Sequence, residues 1–295
     1  MTFDFPVIEK KTLQLADRVI ESSSISFVMG IVNANSDSFF QESRGGLERA
    51  LSLVEEGADI IDIGSESTRP GASYLGEKEE IEKILPLVRE IRKHTSIPIS
   101  IDTRKSSVLK AALDEGADIL NDVSALEDDE NMAELVSSRK IPVILMHKRG
   151  IPSMMQKKTD YEDILKEVGS YLEKRADFAL EKGIEKNKII LDPGIGFGKD
   201  LEGNSKLIAF SASLCGGKYP VLMALSRKSC IGQMTERDVE NRLAGTLAAD
   251  IFAVLRGAFM LRVHDVAETV DTLKVTEKLM KSLEEIKKQN KDFCL

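Results

Sequence analysis

Short apolar segments rich in β-branched residues alternate with segments of helical periodicity along this 295-residue chain. Most of the short segments are apolar almost throughout, which is typical of strands buried on both faces. Strands that each precede a helix form parallel sheets, either closed into a barrel or open. Eight strands are predicted, over residues 26–32, 59–64, 97–102, 117–123, 141–146, 188–192, 219–226 and 257–263.

The segments between these strands carry helix signals. Apolar residues from Ile81 to Ile91 recur at spacings of three and four, with Glu and Lys on the opposite face. The sequences EEGADIIDI, from residue 55, and DEGADILND, from residue 114, each place a glycine between a helix and a strand. This repeated unit predicts an α/β protein with a (β/α)8 fold, the TIM barrel, rather than the competing doubly wound open sheet.

The first 24 residues precede the first predicted barrel strand. We predict an N-terminal extension over residues 1–24, compatible with a hairpin that closes the bottom of the barrel. The barrel domain is predicted over residues 25–295, with no linker and no second domain.

The bulk properties exclude several classes of protein. A net charge of −8 and a pI of about 5.2 argue against non-specific binding to nucleic acids or anionic membranes. No apolar run approaches the roughly 18 residues of a membrane span, and the first residues lack signal-peptide features. Three cysteines without a CxxC motif favour a reducing cytoplasm. We therefore expect a cytoplasmic protein with no nucleic-acid or membrane partner.

The glycine-rich segment LDPGIGFGKD, residues 191–200, invites comparison with nucleotide-binding loops. Its G-x-G-x-G spacing does not match the dinucleotide motif. The P-loop pattern would place Pro193 at its first glycine and Asp200 where it requires serine or threonine. Both nucleotide-binding interpretations fail on spacing, and Asp192 remains as an acid at a strand end.

Polar side chains lie at or just after the ends of the predicted strands. In a barrel the active site lies at the carboxyl ends of the strands. A single Asp or Ser before a helix is often only a cap, but the coincidence of eight strand ends at one face favours a binding site. In chain order these residues are Asn33, Glu66, Thr68, Arg69, Asp102, Asn121, Met146, His147, Asp192, Ser226, Lys228, Arg262 and His264.

Part of this set suits a flat heterocycle with amide-like edges. The carboxylates of Asp102 and Asp192 can each accept two parallel N–H bonds, and the amide of Asn121 both donates and accepts. Lys228 could donate to a ring carbonyl, and Arg262 could stack on the ring.

A second part suits an anion and a metal. Arg69, Arg262 and His264 supply donors for a diphosphate, and Asn33 supplies an oxygen ligand for a magnesium ion.

At these strand ends the chain resembles the dihydropteroate synthases of folate biosynthesis. The resemblance extends from about Phe27 to Val266, and the fold of that family is a (β/α)8 barrel. It is carried by seven motifs in order: MGIVN (29–33), SESTRPG (65–71), SIDTRK (100–105), ILNDV (119–123), DPGIGFGK (192–199), SRKS (226–229) and RVHDV (262–266).

The resemblance implies a transferase. It would condense 6-hydroxymethyl-7,8-dihydropterin diphosphate with 4-aminobenzoate, giving 7,8-dihydropteroate and diphosphate through an SN1-like step. The resemblance also implies Mg2+ as cofactor, a homodimer built by helices of the C-terminal half, and a sulfonamide target.

The matching positions imply residue roles. The metal ligand would be Asn33. The diphosphate would be bound by Asn33, Arg262 and His264. The pterin would be bound by Asp102, Asn121, Met146, Asp192, Lys228 and Arg262. The aminobenzoate would be bound by Thr68, Arg69, Phe197 and Ser226. The catalytic set would be Arg69, Asp102, Lys228 and Arg262.

The chain departs from the family pattern after the first strand, where NANSDSFFQES replaces the usual NVTPDSFSDGG. Asn35 and Ser36 replace Thr-Pro, and Gln41 and Glu42 replace Asp-Gly. Loss of the proline removes a fixed φ angle, so we expect a more flexible loop. Ala224 replaces a common glycine near the expected aminobenzoate site.

Two alternative functions share the pterin-binding barrel. A folate-dependent methyltransferase would use similar acids but expels no diphosphate, so the SRKS and RVHDV motifs favour the synthase. A catalytically silent pterin-binding paralogue is supported only by the altered first loop. The retained Arg69, Lys228, Arg262 and His264 count against it.

Overall fold

The computed structural model describes residues 9–34, 42–66, 75–150 and 159–289. Its first two strands, β1 (Thr12–Gln14) and β2 (Val19–Glu21), form an antiparallel hairpin. The barrel strands are β3 (Phe27–Asn33), β4 (Ile60–Gly64), β5 (Ile99–Asp102), β6 (Ile119–Asp122), β7 (Val143–Met146), β8 (Ile189–Asp192), β9 (Leu222–Met223) and β10 (Met260–Val263).

The eight barrel strands form one parallel sheet in the order β8-β7-β6-β5-β4-β3-β10-β9. A bridge between Leu191 and Val221 joins its two ends, and the Leu191 N–H donates to the Pro220 carbonyl at 2.9 Å. The sheet is therefore closed, and the predicted (β/α)8 barrel is confirmed.

The seventh barrel strand is shorter than predicted. Residues 219–226 were expected to be extended, but β9 covers only Leu222–Met223. Pro220 has no N–H for the ladder, and a turn in which the Lys228 N–H donates to the Leu225 carbonyl ends the strand on the other side. The other seven predicted strands overlap with observed ones.

Helices on the outside of the barrel follow the predicted pattern. Helix α2 has acidic residues in its first turn and basic residues in its last, which suits the helix dipole. Gly57 and Gly116 of the repeated unit both have φ of 99°, so each uses a left-handed conformation after a helix. The helices are α1 (Glu42–Glu55), α2 (Glu77–His94), α3 (Ser106–Asp114), α4 (Met132–Arg139), α5 (Ile164–Glu181), α6 (Leu201–Phe210), α7 (Ser229–Thr235), α8 (Leu243–Leu255) and α9 (Val266–Gln289).

Two apolar clusters form the core. The larger lies between the sheet and the helices. The smaller one fills the amino-terminal half of the barrel, where Leu13 and Leu15 of the hairpin region pack against inward residues of the strands. The hairpin therefore covers the bottom of the barrel, although the division of the chain after residue 24 stays a prediction. The other buried residues of the smaller cluster are Phe27, Met29, Ile60, Ile119, Ile144, Ile190, Leu222 and Met260 in strands, and Ala224 directly after β9.

Within the described ranges, no helix combines the length and the apolar character that crossing a bilayer requires.

Candidate active site

The register of the barrel places polar side chains directly above the apolar inner layer. Side chains alternate along a strand, so a residue two positions further on faces the same side. Ile60, Ile119 and Ile190 face inward, and each is followed two positions later by a polar residue. The pairing Asp102 with Asn121 keeps these residues in one register. The inward polar residues of this upper layer are Asp62, Asp102, Asn121, Asp192 and Arg262.

Arg262 joins two carboxylates at the centre of this layer. Its Nε donates to Asp62 Oδ2 at 2.6 Å, and its Nη2 donates to Asp102 Oδ2 at 2.9 Å. The Asn121 amide also donates to Asp62 Oδ2, at 3.2 Å. The guanidinium, which was expected to stack on a ring or bind an anion, is thus oriented by two acids in this structure.

Sequence analysis did not select Asp62. Its side chain is fully buried, and it is the residue that holds both Arg262 and Asn121. The signal was an acid within the otherwise apolar strand IIDIG (60–64), two positions after the inward Ile60. A buried carboxylate in a strand interior needs a cation, and Arg262 is that cation.

The charges of this cluster influence one another. Burial raises the pKa of Asp102 to about 7, against the lowering effect of Arg262, and the nearby Asp62 raises it further. Burial opposes the charge of Arg262, but Asp62 and Asp102 outweigh it, and the pKa of Arg262 is raised above its ordinary value. The guanidinium therefore stays charged at any working pH.

Asp192 and Lys228, both expected to bind the pterin, interact electrostatically with Arg262 of this cluster. Burial raises the pKa of Asp192, while the Gly194 N–H, which donates to its Oδ1 at 2.7 Å, lowers it. Burial lowers the pKa of Lys228 to about 8, and Asp192 opposes that shift. The Lys228 ammonium lies 4.5 Å from the centre of the Phe197 ring.

The loop after β8 approaches the end of β7 closely. Gly194 has φ of 66°, and a Cβ there would lie 1.9 Å from the His147 carbonyl oxygen. Only glycine fits, as expected for this motif. Met146, at the end of β7, is buried beside Gly194 and is paired in register with Asp192.

Ser226 and His264 are directly connected. The Ser226 hydroxyl lies 3.0 Å from His264 Nδ1 and accepts the His264 backbone N–H at 3.1 Å. Burial, and then Arg262, lower the pKa of His264 to about 4, so the ring is neutral near pH 7. The expected aminobenzoate and diphosphate sites therefore meet at this pair.

The remaining predicted residues are less constrained. Asn33 ends β3 at the open mouth of the barrel, exposed and paired in register with Gly64. Ala224 belongs to the inner apolar layer. Two predicted ligands, Thr68 and Arg69, lie outside the described residues. Asn35, Ser36 and Gln41 of the altered first loop also lie outside them, whereas Glu42 is the first residue of α1.

Three charged strand-end residues form an ion-pair network of their own. Arg104 donates to Glu66 at 3.0 Å, and Lys105 donates to it at 3.2 Å. Lys105 also pairs with Glu80, which is fully buried on α2. This network ties the ends of β4 and β5 to the surrounding helix.

A family model described as pterin binding enzyme matches residues 29–264. The dihydropteroate synthase of Haemophilus influenzae is 41% identical over 257 residues, which is 85% of this chain and 93% of that protein. The chain belongs to the dihydropteroate synthase family.

Solved structures of dihydropteroate synthases share this fold. The Xanthomonas albilineans dihydropteroate synthase with 4-aminobenzoic acid superposes with a TM-score of 0.85 at 40% identity, over 92% of this chain and 99% of that one. The same enzyme in complex with 7,8-dihydropteroate has a TM-score of 0.81 at 37% identity, with the same coverage. The barrel fold therefore agrees with that of the dihydropteroate synthase structures.

Proposed function

We propose that this chain condenses 6-hydroxymethyl-7,8-dihydropterin diphosphate with 4-aminobenzoate to form 7,8-dihydropteroate and diphosphate. One observation carries the proposal. This chain belongs to the dihydropteroate synthase family, and its barrel register places Asp102, Asn121, Asp192 and Arg262 in one inward layer. Lys228 follows β9, the strand next to that of Arg262.

The reaction breaks one bond and forms one. The bond between the pterin methylene carbon and the diphosphate oxygen breaks, and its electron pair leaves with diphosphate. The aminobenzoate nitrogen then bonds to that carbon and loses one proton. An early break leaves positive charge on the pterin, and the carboxylate of Asp102 is expected to stabilise that charge.

The remaining residues would bind and orient the substrates. Asp192 and Asn121 would pair with the amide-like edge of the pterin, and Lys228 would donate to its carbonyl. The neutral His264 imidazole would donate from one ring nitrogen to the diphosphate while the Ser226 hydroxyl contacts the other, Nδ1. These roles, with those of Asn33 and Arg69, are part of the proposal.

We also propose Mg2+ as the cofactor, with Asn33 as its protein ligand. Within the described residues, no group of three or more His, Cys, Asp or Glu side chains could hold a metal. A single amide oxygen, that of Asn33, fits magnesium, which is commonly bound by one or two protein oxygens together with substrate phosphates and water. When bound, it would neutralise charge on the leaving diphosphate.

Product formation tests the proposed function. Purified protein with both substrates is expected to form dihydropteroate, and removal of magnesium by a chelator is expected to lower the rate by at least about tenfold. Tight pterin binding by calorimetry without product would favour the silent paralogue. Methyl transfer from a methyl-folate would favour the methyltransferase.

We propose that two copies of the chain associate through α8 and α9. On α8 the exposed residues Ala244, Ala248 and Phe252 recur every four positions. On α9 Val275 and Leu279 are exposed with the same spacing, and the two helices pack side by side. Exposed apolar stripes on adjacent helices are typical of an interface with another chain.

A charge at this surface is expected to separate the two copies. The double variant Phe252→Glu with Leu279→Glu should convert a dimer into a monomer, because each charge would be buried without a partner. Val19→Glu, at an exposed apolar position on the hairpin, is the matched control and should remain dimeric. Light scattering after size exclusion measures the mass. A monomeric wild type, or a dimeric double variant, contradicts the proposal.

We further propose a cytoplasmic location. Cys215 and Cys230 are both free thiols in the described part of the chain, which suits a reducing compartment. Cell fractionation would test it, and recovery outside the cytoplasmic fraction would argue against it.

A further inference from the structure

Lys199 is a buried lysine that the proposed reaction does not use. Lys199 is only 3% exposed. Its ammonium lies 2.9 Å from His147 Nδ1, 2.9 Å from the Gly194 carbonyl and 3.0 Å from the Phe197 carbonyl. The His147 carbonyl is a fourth, longer contact at 3.4 Å, so every N–H of the lysine has an acceptor.

The histidine in this cluster has a fixed role. Burial, and then Lys199, lower the pKa of His147 to about 3, so the ring is neutral near pH 7. Its Nδ1 therefore accepts from Lys199, and the ring proton resides on Nε2. The edge of the Tyr171 ring lies against the imidazole, with centroids 5.0 Å apart, and the His147 N–H donates to the Asp192 carbonyl. His147 is thus a rigid anchor at the end of β7.

Lys199 ties a turn to that anchor. The turn runs from Gly194 to Phe197, whose N–H donates to the Gly194 carbonyl at 3.1 Å. Without Lys199, the carbonyls of both residues would lose an N–H donor within a buried site, which is unfavourable. The Phe197 ring at the end of this turn packs beside the Lys228 ammonium.

We propose that Lys199 is a positioning residue for 4-aminobenzoate, acting by holding the Phe197 ring as the wall of its site. The inference rests on the proposed function, in which Phe197 borders the aminobenzoate. Asp192 depends less on Lys199, because its strand is held by the β7–β8 ladder. The aminobenzoate site should therefore respond more strongly than the pterin site.

A second buried lysine provides a matched control. Lys188 is 4% exposed and lies next to the opposite, amino-terminal end of β8. Its ammonium donates to the Lys140 carbonyl. Lys188→Met therefore removes a buried lysine and its carbonyl contact from the same strand without touching the active-site loop.

The test compares Lys199→Met with Lys188→Met at saturating dihydropterin diphosphate. Lys199→Met is expected to raise the KM for 4-aminobenzoate about tenfold, the effect of losing one buried hydrogen bond. The dissociation constant of the Lys199→Met protein for the pterin, measured by calorimetry, should differ from the wild-type value by less than about twofold. Lys188→Met should lower thermal stability while leaving both constants within about twofold.

A double-mutant cycle tests whether Lys199 affects 4-aminobenzoate binding through Phe197. If Lys199 acts through Phe197, Lys199→Met should raise KM by less than about twofold in a Phe197→Ala background. Faster hydrogen exchange across residues 192–199 in Lys199→Met, but not in Lys188→Met, supports the same account. Equal KM values for the two lysine variants, or additive effects in the cycle, would overturn it. A wild type that forms no dihydropteroate would refute the proposed function itself, before any variant is compared.

Discussion

Replacement of Arg262 by methionine is expected to abolish dihydropteroate formation and to destabilise the fold by about 3 kcal/mol. The guanidinium bridges Asp62, which is fully buried, and Asp102, which is mostly buried. Removing it leaves two carboxylates without their cation. The expected loss of stability is near the lower end of the range for buried pairs, since the arginine side chain is one-fifth exposed at the barrel mouth.

A second variant separates the two effects of Arg262. In the combination of Asp62→Asn with Arg262→Met, one uncompensated charge is absent, so the free energy of unfolding should recover in part. Activity should not recover, because the cation that orients Asp102 is still missing. Urea unfolding and product formation measure these quantities. An Arg262→Met protein with wild-type stability and turnover would contradict this account of the cluster.

Asp250→Ala is expected to stabilise the protein by about 1–3 kcal/mol at pH 7 to 8. Asp250 lies on α8, is 1% exposed, and neither of its carboxyl oxygens has a hydrogen-bond partner within the described structure. Burial raises its pKa well above the ordinary value of 3.8, and the negative charge of Asp265 raises it further. Alanine removes this unsatisfied acid and also suits a helix.

The stabilisation should depend on pH in a defined direction. The folded-state pKa of Asp250 is raised, so the folded protein holds a proton that the unfolded chain releases above pH 3.8. The acid therefore lowers stability increasingly as the pH rises from that value toward the folded-state pKa. The gain from Asp250→Ala should be largest at neutral pH and should shrink as the pH falls toward 4.

An exposed aspartate serves as the control for this variant. Asp271 on α9 forms an exposed ion pair with Lys274, so Asp271→Ala should change stability by less than about 0.5 kcal/mol. Chemical unfolding of all three proteins across pH 4 to 8 makes the comparison. A destabilised Asp250→Ala protein, or a gain independent of pH, would be incompatible with an unpartnered buried acid.

The sequence was sufficient for the barrel because its signals were local and repeated. The apolar strand segments, the helical spacing of apolar residues and the glycines at positions 57 and 116 are each recognised from a few residues that are close together in the sequence. The length of β9 was overestimated because Pro220 at its start and the turn at Leu225 after it shorten the strand, although the composition of residues 219–226 suits a strand throughout. Ladder hydrogen bonds depend on the neighbouring strands, which composition does not encode.

The candidate site could be predicted as a set of strand ends but not as a network. Asp102, Asn121 and Asp192 were found because each ends an apolar strand. Asp62 was missed because its importance depends on Arg262, two hundred positions away in the chain. Lys199 was part of the glycine-rich motif but was assigned no role, because its acceptors come together only in the folded barrel.

The most direct test of the central claim measures dihydropteroate and diphosphate in the same reaction, for the wild type and for Asp192→Asn. We predict equal amounts of the two products from the wild type, and loss of both in the variant, whose amide can no longer accept two parallel N–H bonds from the pterin. Wild-type protein that binds the pterin but forms no dihydropteroate, or an Asp192→Asn variant with undiminished turnover, would contradict the assignment of this strand-end site to dihydropteroate synthesis.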